Sequence, residues 1–231
     1  MSSSLETAFD KLVDAAADSI SGGDLLGLGS GSAVARFAKA LGHRVKTESL
    51  EVIIVPSSMQ SFLLARENGL ELVRDTARCP DSIDIVVDGA DQISLGTRSM
   101  IKGGGGALLK EKILISASKK TLILADQAKY VKQLNRSVPV EITQFSYLTV
   151  SGEIRRKFGA DPVLRKLEKG YPYYSESGNI ILDCQFREEI SAPRDLEREL
   201  KMIPGVVECG LFNEEVERFY RAHPDGSFDS L

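Results

Sequence analysis

At 231 residues, with 42% hydrophobic and 27% charged side chains, the chain has room for one large domain with a small companion and the make-up of a globular protein. A formal net charge of -4 without a long basic run argues against non-specific nucleic-acid binding. With no apolar run of membrane-spanning length and no visible signal peptide, the expectation is a cytoplasmic protein without membrane contacts.

Residues 5–20 place Leu5, Phe9, Leu12, Val13 and Ala16 at helical spacing, ended by Gly22 and Gly23. Residues 24–28 read as a short strand that runs into Gly29-Ser30-Gly31-Ser32, and a helix follows over 33–41. Strand, Gly/Ser loop and helix make a phosphate cradle, with backbone N–H groups and the positive end of the helix dipole aimed at an anion. It is not a Walker A loop, and the dinucleotide fingerprint fails because Ser32 stands where its third glycine would fall. An ordinary βα turn is the plain alternative for this segment alone.

Residues 51–55 are the next strand, and Pro56-Ser57-Ser58 opens a helix through Ala65. Short strands follow at 70–73 and 83–87. The latter stops at Asp88-Gly89-Ala90-Asp91, two carboxylates three residues apart at a strand's carboxyl end, where parallel sheets gather ligands. Lys102 and four glycines at 103–106 lead into a helical run, ALLKEKILISA. Four glycines cost conformational entropy, which is reasonable where backbone N–H groups must approach a ligand at a helix N-terminus. Glu111 has Ala107, Leu108, Leu114 and Ile115 at its i±3 and i±4 positions, and a carboxylate among apolar neighbours is paired or functional. Each motif alone has a plain reading as a turn, a solvated lysine or a structural ion pair; their conjunction in one crossover reads as a site. Residues 120–125 form a further buried strand, followed by Asp126 and Lys129.

Alternating strands and helices with near-continuous apolar strands predict an α/β fold with a doubly covered, mostly parallel sheet. From Val138 the texture changes: a strand at 138–142, a helix at 145–158, a hairpin joining 171–174 to 179–183, a helix at 193–202 and a strand at 205–211. That order predicts a ferredoxin-like α+β domain. The expected division is 1–137 with 210–231 for the catalytic domain, and 138–209 for the smaller one.

Cys79, Cys184 and Cys209 are odd in number and form no Cys-x-x-Cys pair, which favours a reduced compartment. His43 reads as a helix end and His223 as part of a turn; neither has metal-ligand spacing. Acid–base chemistry therefore falls to carboxylates and lysines.

With these motifs in place, the chain resembles the A-type ribose-5-phosphate isomerases. GLGSGSA at 27–33, DGAD at 88–91, IKGGGGALLKEKI at 101–113, ADQAKYV at 125–131, VPVEI at 138–142, GNIILD at 178–183 and IPGVVECGLF at 203–212 match in the family's order. The resemblance implies a Rossmann-like fold, as in CoA transferases and glucosamine-6-phosphate deaminases, with a ferredoxin-like second domain. It implies interconversion of ribose 5-phosphate and ribulose 5-phosphate, a sugar-phosphate substrate, no cofactor or metal, and a homodimer or homotetramer. Carried over by position, Glu111 is the base, with Asp88, Asp91 and Lys102 as further catalytic groups. Ser30, Gly31, Ser32 and Ala33 match the phosphate loop and Lys129 a phosphate-contacting lysine. Gly89, Ala90, Gly103, Gly104 and Gly105 complete the substrate contacts. Ala33 departs from the family's threonine and removes one hydroxyl from the loop. An aminosugar-phosphate deaminase would want a histidine at the site, a sugar-phosphate sensor would be expected to lose the acid–base set, and a dehydrogenase fails the fingerprint.

Overall fold

Apolar strands that bury both faces need helical cover, and the chain supplies it in alternation. The structure, a computed structural model, describes residues 3–76 and 78–231. The first elements are α1 (Ser3–Asp18), β1 (Leu25–Leu28), α2 (Ser32–Glu48), β2 (Ile53–Pro56), α3 (Met59–Glu67), β3 (Glu71–Leu72) and β4 (Ile83–Gly89). The middle of the chain holds β5 (Gln92–Ser94), β6 (Met100–Ile101), α4 (Leu108–Ser116), β7 (Ser118–Asp126) and β8 (Tyr130–Val131). Then come β9 (Val138–Ile142), α5 (Tyr147–Phe158), β10 (Asp161–Leu164), β11 (Ile180–Gln185) and α6 (Pro193–Lys201). β12 (Val206–Cys209), β13 (Leu211–Phe212), β14 (Arg218–Ala222) and β15 (Phe228–Ser230) close the chain. No described helix is long and apolar enough to cross a membrane.

Two compact units result: residues 1–90, 111–129 and 214–231 form the first, and 91–110 with 130–213 the second. The first is built on a seven-stranded sheet of order β15-β14-β7-β4-β1-β2-β3, in which only the β14–β15 pair is antiparallel. Phe9, Leu12, Phe37, Leu41, Leu26, Ile54, Val87 and Leu124 share the core on one face of that sheet. On β1, Gly27 leaves room for Val86 and the Leu114 side chain of α4, so α4 packs closely on the strands there.

The second unit contains a four-stranded antiparallel sheet of order β10-β11-β9-β12, with α5 and α6 as its crossovers. This is the ferredoxin-like order. Val140, Ile142, Val150, Ile154, Leu182 and Leu200 fill its core. A second small sheet, β13-β6-β5-β8, belongs to the same unit. It moves 91–110, 130–137 and 210–213 into this unit, against the expected division at 137 and 210. Its strands are two or three residues long, too short to show a period.

Two further expectations are corrected. α2 does not stop at Leu41 but runs through Gly42 and His43 to Glu48, and the His43 carbonyl accepts from Thr47 Oγ1 at 3.0 Å. Gly42 is a close-packing position, since a Cβ there would stand 2.5 Å from Asn68 O. β11 pairs along its length with β9 and β10, whereas 171–174 meets it at a single antiparallel bridge, Tyr174 with Ile180, and makes a second bridge from Pro172 to Lys166. Pro162 hid β10, and an edge strand is where a sheet tolerates proline.

Candidate active site

In the first unit, β1 lies between β4 and β2, and β7 flanks β4, all parallel, so their carboxyl ends share one edge. The expected loops therefore meet as neighbours. Gly29 N–H donates to Val87 O at 3.0 Å and Ser57 N–H to Leu28 O at 2.9 Å, which stitches the strand ends together. Asp88 is fully buried; its Oδ1 accepts from Gly89 N–H at 2.7 Å and Ser30 N–H at 3.2 Å. Position 29 must be glycine, because a Cβ there would overlap the Asp88 carboxylate. Gly31, at φ 99°, caps α2 without a side-chain hydrogen bond, a conformation that favours glycine. Exposed Ser32 and half-buried Ala33 form the first turn of α2, whose N–H groups have no intrahelical acceptor. Ala90 ends the first unit's share of the loop.

Sequence reasoning left out part of this cradle. Ser30 Oγ donates to Ser58 Oγ at 2.8 Å and lies 3.0 Å from Ser57 Oγ, while Gln60 Oε1 accepts from Gly31 N–H at 2.9 Å. Ser58 caps α3 in a capping box with Ser61. The signal was present in Pro56-Ser57-Ser58; what the linear sequence lacked was the β1–β2 pairing that brings these hydroxyls to Ser30.

One strand over, β7 ends at Asp126, whose Oδ1 accepts from Ala128 N–H at 2.9 Å, and half-buried Lys129 closes the turn Gln127–Lys129. His223 meets this turn: its Nδ1 lies 2.9 Å from Gln127 Oε1, and its Nε2 lies 3.2 Å from Asp229 Oδ1. Glu111, on α4, is 4% exposed, as the flanking apolar residues predict.

In the second unit, Asp91 Oδ2 accepts from Gly104 N–H at 2.9 Å, and Asp91 N–H donates to Ile101 O at 2.9 Å. The carboxylate thus sits against the glycine run. Lys102 is 3% exposed, its N–H donates to Gly210 O at 2.9 Å, and its Nζ lies 5.4 Å from the centre of the Phe212 ring. Gly103 and Gly106 have φ of 101° and 78°, which favour glycine, while Gly104 and Gly105 are exposed. Among the described residues, Glu197, Glu208 and Cys209 have ligand atoms within 4.8 Å of one another. None is a predicted site residue. Asn213 Nδ2 donates to Glu197 and Lys201 Nζ to Glu208.

The chain is similar to known proteins. The family described as Ribose 5-phosphate isomerase A (phosphoriboisomerase A) matches residues 53–226. A ribose-5-phosphate isomerase A of Archaeoglobus fulgidus is 42% identical over 196 residues, covering 84% of this chain and 85% of the relative. One of Methanosarcina acetivorans is 42% identical over 214 residues, covering 92% and 89%. A solved D-ribose-5-phosphate isomerase in complex with phospho-erythronic acid superposes with a TM-score of 0.90 at 32% identity, over 98% of both chains. By sequence and by fold, then, this chain belongs to the ribose 5-phosphate isomerase A family and is an isomerase.

Proposed function

We propose that the chain interconverts D-ribose 5-phosphate and D-ribulose 5-phosphate through an enediolate, with Glu111 as the base and without a metal. The observation that carries this reading is a buried carboxylate on the helix that follows a glycine run, in a chain of this family. The relatives' names give the substrate, and the phospho-erythronic acid held by the similar structure is a phosphorylated sugar acid of the same chemical class.

Moving a carbonyl between C1 and C2 takes a proton from one carbon and returns it to the other, which one carboxylate does if it reaches both. Ser30, Gly31, Ser32 and Ala33, at the dipole-positive start of α2, hold the phosphate with Lys129. Ser57 and Ser58 back Ser30, which offsets the hydroxyl that Ala33 lacks. Asp88 and Asp91 bind sugar hydroxyls, assist ring opening and pass a proton between O1 and O2, with Gly89 and Ala90 lining the substrate. Lys102 and the N–H groups of Gly103, Gly104 and Gly105 stabilise the oxyanion, the electrostatic work a metal would otherwise do. Phosphate binding, remote from the reacting carbons, orients the sugar.

Replacing Glu111 by Gln tests the base. The expected outcome is a kcat lowered at least about 100-fold, the usual range for a general base, with KM little changed. Near-normal turnover in that variant would remove Glu111 from the mechanism. The same reading makes the protein a cytoplasmic homodimer or homotetramer, and sedimentation velocity measures its assembly.

A further inference from the structure

All four carbonyls of the glycine run are held from outside it, by residues that no sequence motif singled out. Arg165 Nη1 donates to Gly103 O at 2.8 Å and to Gly104 O at 3.1 Å. Tyr173 Oη donates to Gly105 O at 2.8 Å, and Glu176 N–H to Gly106 O at 3.1 Å. The other side of the guanidinium is fixed by Asp183 of β11, with Nε 2.9 Å from Oδ2 and Nη2 2.5 Å from Oδ1. The Tyr173 ring centre lies 5.8 Å from the guanidinium carbon, and the ring fills the space a side chain at Gly106 would need. The Arg165 side chain is 14% exposed, so its bonds to Gly103 O and to Asp183 are partly shielded from water.

A peptide unit is planar and trans, so each carbonyl and the N–H that follows it point in opposite directions. Fixing the Gly103 and Gly104 carbonyls on Arg165 therefore turns the N–H groups of Gly104 and Gly105 to the opposite side. Asp91 marks that side, because its Oδ2 takes the Gly104 N–H. Both glycines are exposed. We infer that Arg165, braced by Asp183 and assisted by Tyr173, is the positioning residue that keeps the Gly104 N–H on Asp91 and holds the Gly105 N–H toward the reacting end of the sugar. Lysine is no substitute, because one ammonium lacks the planar fork that binds a carboxylate on one side and two carbonyls on the other. This inference rests on the isomerase reading for its substrate.

The experiment compares the parent chain with Arg165→Met and Tyr173→Phe, measuring kcat and KM for ribose 5-phosphate and the affinity for phospho-erythronate, a carboxylate in place of the enediolate. For folded Arg165→Met we expect kcat lowered at least about tenfold, since removal of one such donor costs more than that. KM should stay within about twofold, and phospho-erythronate should bind more weakly by a factor similar to the loss in kcat. Tyr173→Phe should show the same pattern with a smaller loss. Unchanged kcat and affinity would overturn the inference, as would a fall in kcat with phospho-erythronate affinity intact, the mark of a merely structural role. If Arg165→Met does not fold, Tyr173→Phe decides by the same two criteria. If the parent chain does not turn over ribose 5-phosphate, the isomerase reading fails by itself. Calorimetry with phospho-erythronate then decides: weaker binding in the variants supports the positioning role, while equal binding, or none to the parent, overturns it.

Discussion

Gly29 shows how little room single atoms have in this site. The fully buried Asp88 carboxylate occupies the space where any other residue at 29 would place its Cβ. Gly29→Ala should therefore displace Asp88 from the N–H groups of Ser30 and Gly89 and destabilise the chain by about 1–3 kcal/mol, the usual cost of overpacking. Urea unfolding together with kcat checks this, and a variant equal to the parent in both would show that Asp88 is not held there. The candidates Asp88, Asp91, Lys102 and Glu111 stood out in the sequence because acids at a strand end and glycines at a helix start are chemically costly patterns. Ser57, Arg165 and Tyr173 were not, because each acts on a loop that only strand pairing or tertiary packing brings near.

Among the elements, β9 ties the glycine run to its supports. Fully buried Glu141 accepts from Ser175 Oγ at 2.6 Å and from Asn179 Nδ2 at 2.9 Å through one oxygen. This fixes the turn from which Glu176 N–H reaches Gly106 O. Glu141→Ala leaves both donors without that acceptor and should cost roughly 3 kcal/mol, the scale of lost hydrogen bonds to a charged group. Glu141→Gln keeps an acceptor and should cost less; equal losses in the two variants would place the effect in packing instead. The β14–β15 hairpin gives a pH signature in the first unit. The Arg221 guanidinium, followed by His223, holds the Asp229 carboxyl below the usual carboxylate range. Its contribution is present above the ordinary carboxylate pKa and is lost as pH falls through the lowered value. Asp229→Asn should therefore flatten the acid limb of the unfolding midpoint as pH falls below about 5, and an unchanged slope would contradict it. At this scale, periodicity found the long helices and the buried strands. It lost α2 beyond Leu41, where Gly42 serves contact with Asn68, and it lost β10 behind Pro162.

For the whole molecule, alternation of strands and helices predicted the parallel sheet, and the later order of elements predicted the ferredoxin-like unit. The division between the units was harder to read, because β5, β6, β8 and β13 form a sheet from fragments spread between residues 92 and 212. The chain crosses from one unit to the other between Ala90 and Asp91 and again between Lys110 and Glu111, so Asp88 and Glu111 belong to the first unit and Asp91 and Lys102 to the second. The central claim is metal-free isomerisation by this set of side chains. The most direct test is to follow the conversion of ribose 5-phosphate to ribulose 5-phosphate by the purified chain in excess chelator. The account predicts turnover equal to that without chelator; absent turnover, or turnover lost to chelator and restored by a divalent cation, would contradict it.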